Sequence, residues 1–213
     1  MARTSGNGNG LLVLGLAAGL VVGVGGTMWL TSSNAHAAQP EMKADGGQPD
    51  AMDAEALMQP NEHHKKLEKH VGTWRTEGWF IMDDPTQRIP INGTSVQTME
   101  MDGRYIFTKF TGDEAPDGSV FRGAGVLGYD NVKQMYFGSW LDNMGTGMMV
   151  QYGNMTDDGE IVVEGDFEYA PGEIMTMCNR TKFLDDNTYV ESFFMVVGGD
   201  EVMQLGELKN TRK

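Results

Sequence analysis

Ile161-Val162-Val163-Glu164-Gly165-Asp166-Phe167-Glu168-Tyr169 places Ile161, Val163, Phe167 and Tyr169 on one alternating set and Val162, Glu164, Asp166 and Glu168 on the other. A period of two is what a strand needs when one side faces an enclosed interior and the other faces water. Working outward from this stretch, strand-like segments recur at Thr73–Met82, Gly93–Asp102, Arg104–Gly112, Ser119–Gly128, Lys133–Leu141, Thr146–Asn154, Glu160–Tyr169, Ile174–Phe183, Thr188–Val197 and Val202–Thr211. The joints carry Asp102-Gly103, Asp117-Gly118, Asp130-Asn131, Asp157-Asp158-Gly159, Asp185-Asp186-Asn187 and Gly198-Gly199-Asp200, residues that accept the positive φ of tight hairpins. Sequence neighbours are therefore expected to pair in space. An open meander of this length would leave two bare edges, and joining the first strand to the last removes both. The expected fold is all-β, an up-and-down antiparallel closed barrel of about ten strands. One short helix precedes it: Pro60 and Asn61 suit a start, Leu67 and Val71 share a face, and Gly72 can end it.

Composition narrows the function classes. The 213 residues suit one domain, and 16 basic against 30 acidic residues give a formal charge of −14. That charge repels a phosphate backbone and an anionic membrane surface, so nucleic acid is not an expected partner. The single cysteine, Cys178, excludes an internal disulfide framework, a cysteine-rich zinc site and a thiolate-held iron–sulfur cluster.

Three regions follow from the N-terminus. Residues 1–37 read as a signal peptide or an N-terminal membrane anchor: Leu11–Leu30 is uncharged and apolar, and Ala35-His36-Ala37 offers a small-x-small cleavage site. Cleavage after Ala37 is the preferred reading, with an uncleaved anchor the rival because the run reaches the length that spans a bilayer. Either way the remainder is expected to be exported, to the periplasm or beyond the cell. Residues 38–60, with Pro40, Pro49, Pro60, two glycines and five acids against Lys43, read as a disordered acidic linker. Residues 61–213 form the barrel domain.

Certain motifs carry a resemblance. Gly72-Thr73-Trp74-Arg75 is similar to the Gly-x-Trp opening of lipocalin-like barrels. The longer series Leu127-Gly128-Tyr129-Asp130-Asn131, Tyr136-Phe137-Gly138-Ser139-Trp140 and Asp142-Asn143-Met144-Gly145-Thr146-Gly147-Met148-Met149 resembles a bacterial family described as domain of unknown function 1579. Glu62-His63-His64-x-x-Leu67 and the terminal Thr211-Arg212-Lys213 fit it too, so the resemblance spans about residues 61–213. It implies a calycin-like barrel and frequent export, and it implies no activity. From the lipocalin-like pattern, Trp74 is expected to close the barrel base and Arg212 to cover it through a cation–π contact.

Catalytic chemistry finds little support in the residues. Every histidine after His36 lies on the helix, and His63 and His70 sit about 10.5 Å apart along it at 1.5 Å per residue, too far to share a metal ion. His64 with Glu68 is expected to be a solvated pair, no nucleophile motif accompanies a histidine, and the late strands lack the histidine that holds haem in some related barrels. No cofactor and no metal site is expected. Methionine is abundant, and Met99-x-Met101, Met148-Met149 and Met175-x-Met177 raise soft copper(I) ligation. Thioethers lining an adaptable apolar cavity are the preferred account. Cys178 is expected to be buried.

A ten-stranded barrel is wide enough to hold a small molecule. The leading expectation is a non-enzymatic barrel that binds or shields a small apolar or amphipathic ligand through Met99, Met101, Tyr136, Trp140, Phe167, Phe193 and Met195. One alternative is an enzyme whose site at the barrel mouth uses Asp142, Arg104 or Arg180, marked by a buried carboxylate of raised pKa beside a basic partner. Another is an envelope interaction protein with a filled barrel.

Overall fold

The computed structural model describes residues 54–81 and 84–213, so the signal-or-anchor reading of residues 1–37 and the linker up to residue 53 lie outside the described residues. Ten strands form the ring: β1 Gly72–Phe80, β2 Ile89–Glu100, β3 Tyr105–Gly112, β4 Arg122–Asp130, β5 Met135–Asp142, β6 Met149–Met155, β7 Ile161–Ala170, β8 Glu173–Asp185, β9 Thr188–Val197 and β10 Asp200–Arg212. Each pairs antiparallel with its sequence neighbours and β1 pairs with β10, closing the barrel. This is the up-and-down architecture that the alternation and the turn residues imply.

Several strand ends differ from the sequence reading. β2 starts at Ile89 and so includes Pro90. Its pairing with β3 begins only at Gly93, so the earlier part has a free edge where a residue without an N–H is tolerated. β4 starts at Arg122 because Ser119 is held in the preceding loop, its carbonyl accepting from the Ala115 N–H. β6 starts at Met149 because Asp142 and Asn143 organise the residues before it: Asp142 accepts from the Met144 N–H, and Asn143 bonds Arg122 N and Val120 O.

One end of the barrel is plugged. α1 spans Ala54–Leu57 and α2 spans Glu62–Leu67, followed by one 3-10 turn at Glu68–His70. Asn61 caps α2 by accepting from the His63 N–H, while its own N–H donates to His64 Nδ1. Leu67, with no exposed surface, enters a core cluster with Ile106, Tyr129, Tyr136, Ile161 and Val163. Residues 54–60, the end of the expected linker, dock onto the barrel. Asn131 donates to the carbonyls of Leu57 and Gln59, and Arg104 donates to that of Met58. Backbone carbonyls make these bonds, so side-chain composition gave no sign of them.

Trp74 is fully buried at the plugged end, and its indole N–H donates to the His70 carbonyl at 2.8 Å. The Arg212 guanidinium lies 4.1 Å over the ring and donates to the carbonyls of Val71, Lys69 and Asp186. Gly72 adopts φ +147°, and a Cβ there would fall 2.4 Å from Arg212 Nη1, so both backbone and space require glycine. Arg212→Ala removes the cation–π contact and leaves three carbonyls without their donor. It is expected to lower unfolding stability by about 2 kcal/mol in urea titrations. Arg212→Lys restores the charge without the fork of donors and is expected to recover only part of that loss.

Candidate functional site

Strand partners that face each other across a ladder share a side of the sheet, so the register identifies the interior side chains. The floor is aromatic. His63 stacks on Tyr129 with centroids 4.1 Å apart, and its Nδ1 lies 3.0 Å from the Tyr136 hydroxyl. His64 bonds the Tyr129 backbone, and desolvation lowers its pKa. His70 donates from Nδ1 to the Leu67 carbonyl, its Nε2 has no partner, and burial depresses its pKa to about 4. These histidines are packing groups that lock the plug to the wall.

A polar belt adjoins the floor. Thr76 Oγ1 donates to Asn210 Oδ1 at 2.6 Å, and Asn210 Nδ2 donates to Glu191 at 3.0 Å. Gln97 reaches across from β2 to the Tyr189 hydroxyl at 2.6 Å and lies 3.4 Å from Ser95. Glu191 is flanked on its own face by Thr181 of β8 and Leu208 of β10. The walls around it raise its pKa to about 7, opposed only by the bond from Asn210. The residue still keeps part of its surface accessible, so the desolvation comes from depth inside a space that water enters. Gln97 Oε1 and Asn179 Oδ1 are buried without a hydrogen-bond partner. Asn179 lies between inward-facing Val163 and Phe193, which directs its amide to the same interior.

Toward the end opposite the plug, the interior is lined by rings laid flat against the wall. The Trp140 indole covers Gly123, where a Cβ would fall 2.1 Å from its Cζ2; Phe110 covers Gly93 and Phe80 covers Gly206 in the same way. A ring lying over a glycine takes up wall and leaves the centre free. A Cβ built at Gly138, between Tyr136 and Trp140 on the interior face of β5, meets nothing within 4 Å. Trp140, Phe167, Met175, Met177 and Met195 are all half-buried. The interior near Trp140 is an open cup. A groove of about 620 Å³ also runs outside the barrel between the 57–60 segment and the β4–β5 turn, and no unpartnered buried polar group faces it.

The sequence-predicted ligand residues divide into three groups. Trp140, Phe167, Phe193 and Met195 face the interior above the belt. Tyr136 is fully buried and Met99 packs against the core cluster, so both belong to the floor. Met101 is a correction: β2 ends at Glu100, and Met101 sits in the following turn at φ 53°, 60% exposed, on no interior face. The Met99-x-Met101 pair thus shares no face, and Met148 is exposed beside inward Met149. Met175 and Met177 do share the interior, with Met177 facing Met195 across the ladder.

Asp142, Arg104 and Arg180, the alternatives for a mouth site, lie apart from one another. Asp142 bonds the Trp140 indole, Arg104 sits in the β2–β3 turn at the plugged end, and Arg180 pairs with Glu160 and Glu201 on the outer wall. Cys178 is fully buried beneath that pair, and burial pushes its thiol up to about 12, which keeps it protonated and unreactive. Among the described residues no cluster of three metal-ligating His, Cys, Asp or Glu side chains occurs. Sequence spacing did not single out Glu191 among the carboxylates, and it missed Asn179, Gln97 and Asn210 as interior polar groups. The available signal was Tyr189-x-Glu191-x-Phe193, which puts a carboxylate in phase with two aromatics.

The family model described as "Protein of unknown function (DUF1579)" matches residues 59–212. The chain belongs to this family. No curated protein matches it. Among solved structures, the S-type phycobiliprotein lyase CPES from Guillardia theta is similar, with a TM-score of 0.50 and 14% identity over 71% of this chain and 92% of that one. At that identity the likeness concerns the fold, which is calycin-like. The motif residues of this family member act mainly in the frame: Asn131 anchors the 57–61 segment, Tyr129 receives His63, and Trp140 and Gly138 shape the cup.

Glu191 and His70 shift in opposite senses. The folded form of Glu191 holds its proton up to about pH 7, so its contribution is full below its unfolded value of 4.5 and is lost as pH rises through 7. His70 contributes above 6.5 and loses that contribution as pH falls through about 4. The two offset each other between pH 4.5 and 6.5 in the native protein. Glu191→Gln is expected to gain about 2 kcal/mol over native above pH 7, discounted from the full shift because water reaches the interior. It also unmasks His70, so its stability should rise with pH through the acid window; urea midpoints that track the native protein at every pH would sink this assignment.

Proposed function

We propose that this barrel is a non-enzymatic binding protein that holds a small amphipathic molecule in the cup above Glu191. The observation that carries the reading is the open space at inward-facing Gly138, in an interior that also holds two buried amide oxygens without partners. A core built for stability alone would satisfy or omit those oxygens, each of which costs about 1–3 kcal/mol when left unpaired. Half-buried methionine and aromatic side chains supply an adaptable apolar wall for the rest of the molecule. A solved barrel of the same fold is named for its action on phycobiliproteins, which supports work on a molecule outside the fold. We infer further that the protein acts outside the cytoplasm, in the periplasm or extracellularly. The apolar run Leu11–Leu30 and Ala35-His36-Ala37 support that location, as a cleaved leader or a retained anchor.

The test uses the uncharged apolar dye N-phenyl-1-naphthylamine. Native protein should raise its emission saturably at one dye per chain and alter Trp140 fluorescence. Gly138→Phe places a ring in the open space and is expected to weaken the dye at least about tenfold, roughly 1.4 kcal/mol, with an unchanged thermal midpoint. Equal binding by native and Gly138→Phe proteins would place the dye elsewhere and defeat the proposal.

A further inference from the structure

The interior has a one-sided polar chemistry. By register, Arg75, Lys109, Arg122, Arg180, Lys182 and Lys209 all occupy strand positions one step out of phase with the buried set, on the outer wall. Arg212 is taken up over Trp74 at the plugged end, and Arg104 lies in a turn. No lysine or arginine of the described strands faces the cup. Acids do: Glu191 lies deep, and Asp142 stands beside Trp140 near the opposite end. The unpartnered groups are acceptors as well, Gln97 Oε1 and Asn179 Oδ1. Asn179 is the diagonal neighbour of Glu191 on the adjacent strand, and Gln97 meets Tyr189, two residues from Glu191 on the same face. The diagonal pair Asn179 and Glu191 stands about 7–8 Å apart, a span one polar head group can bridge.

We propose that the occupant is an amphipathic amine, with a protonated ammonium or amidinium seated against Glu191 and donating to the amide oxygen of its diagonal neighbour Asn179. This rests on the ligand-binding reading above and adds the charge of the head group. An anionic head, such as a fatty carboxylate or a phosphate, would enter a space holding two acids, two bare acceptors and no cation, and neither Coulomb attraction nor a donor would meet it. An ammonium supplies three donors and a compensating charge where the protein leaves acceptors unmet. Asn210 already donates to one Glu191 oxygen, which fixes the carboxylate and leaves the other for the ligand. Met177, Met195 and Phe193 above this group then contact the apolar body, and the flat indole of Trp140 offers a face to a cation on its way in.

The experiment competes three ligands of one chain length, decylamine, decanol and decanoate, against N-phenyl-1-naphthylamine on the full-length protein below their micelle concentrations. Displacement by decylamine at a concentration at least about tenfold lower than decanoate is expected, about 1.4 kcal/mol of discrimination. The protein carries a formal charge of −14, so any cation is drawn to its surface; Glu191→Gln removes one interior charge and separates that effect. The preference for decylamine over decanol should fall severalfold in Glu191→Gln. A preference unchanged in that variant overturns the proposal, since the attraction then belongs to the surface. Decanoate displacing as well as decylamine also overturns it while leaving the ligand-binding reading in place. If the dye does not bind and calorimetry shows no heat with any of the three, both fail together. Should Glu191→Gln not fold, the native preference for decylamine over decanol is measured at rising salt, and a preference that disappears as the surface charge is screened overturns the proposal.

Discussion

Ten strands joined in sequence become a ring only where β1 meets β10, and everything inside the barrel depends on that seam. Thr76 and Asn210 bond across it although 134 positions separate them in the chain. Bringing such distant residues together costs about 4 kcal/mol of loop-closure entropy beyond the fixed term. The seam offsets this with a ladder running from Trp74–Arg212 to Phe80–Gly206, and with the guanidinium that bonds three carbonyls while covering the indole. The same ladder positions the belt, because Asn210 accepts from Thr76 on one side and donates to Glu191 on the other. A bond that closes the fold therefore also orients the deeply placed Glu191 carboxyl. Structure and site share a residue here, so a change at Asn210 is felt in both.

The second constraint is circumference. A ring of about eight strands is filled by its own side chains, and ten enclose more space than ordinary residues reach across. One route to stability is to fill the excess with large side chains pointing to the centre. This chain instead pairs large rings with glycines, so that Trp140, Phe110 and Phe80 lie along the wall. The helical plug then fills only the end where Leu67 meets Tyr136 and Ile161. Stability is concentrated in a packed floor, and the upper half contributes less burial in exchange for room.

The barrel was legible because its signals are local and repeated. Alternation at 161–169, turn residues at most joints and a capped helix before Gly-x-Trp each report through a few neighbouring residues, and they agree with one another. The cup was less legible. Met101 read as a partner of Met99 because a period of two was extended one step past the strand, into a turn where Asp102 and Gly103 with positive φ had already broken the phase. Glu191 shares its phase with Tyr189 and Phe193, but only the register, which sets it between Thr181 of β8 and Leu208 of β10, distinguishes it from the other carboxylates. Residues 54–60 escaped because their docking uses carbonyls, which every sequence has.

The residues that carry the family resemblance and those that carry the proposed binding chemistry are nearly separate sets. Tyr129, Asn131, His63 and Leu67 are tied to the plug, and replacing any of them opens the floor. Gln97, Asn179 and Glu191 stand on strands whose backbone ladders form without them, and their side chains satisfy little in the fold; Glu191 is strained by desolvation and two amide oxygens are unpaired. A frame held by one set and a belt held by the other can change its belt at small structural cost. The gain from filling those vacancies goes to whatever donor enters the cup. A free energy left unrealised in the empty barrel is available on binding, which is how a protein with an ordinary calycin-like frame acquires selectivity for the head group of its ligand.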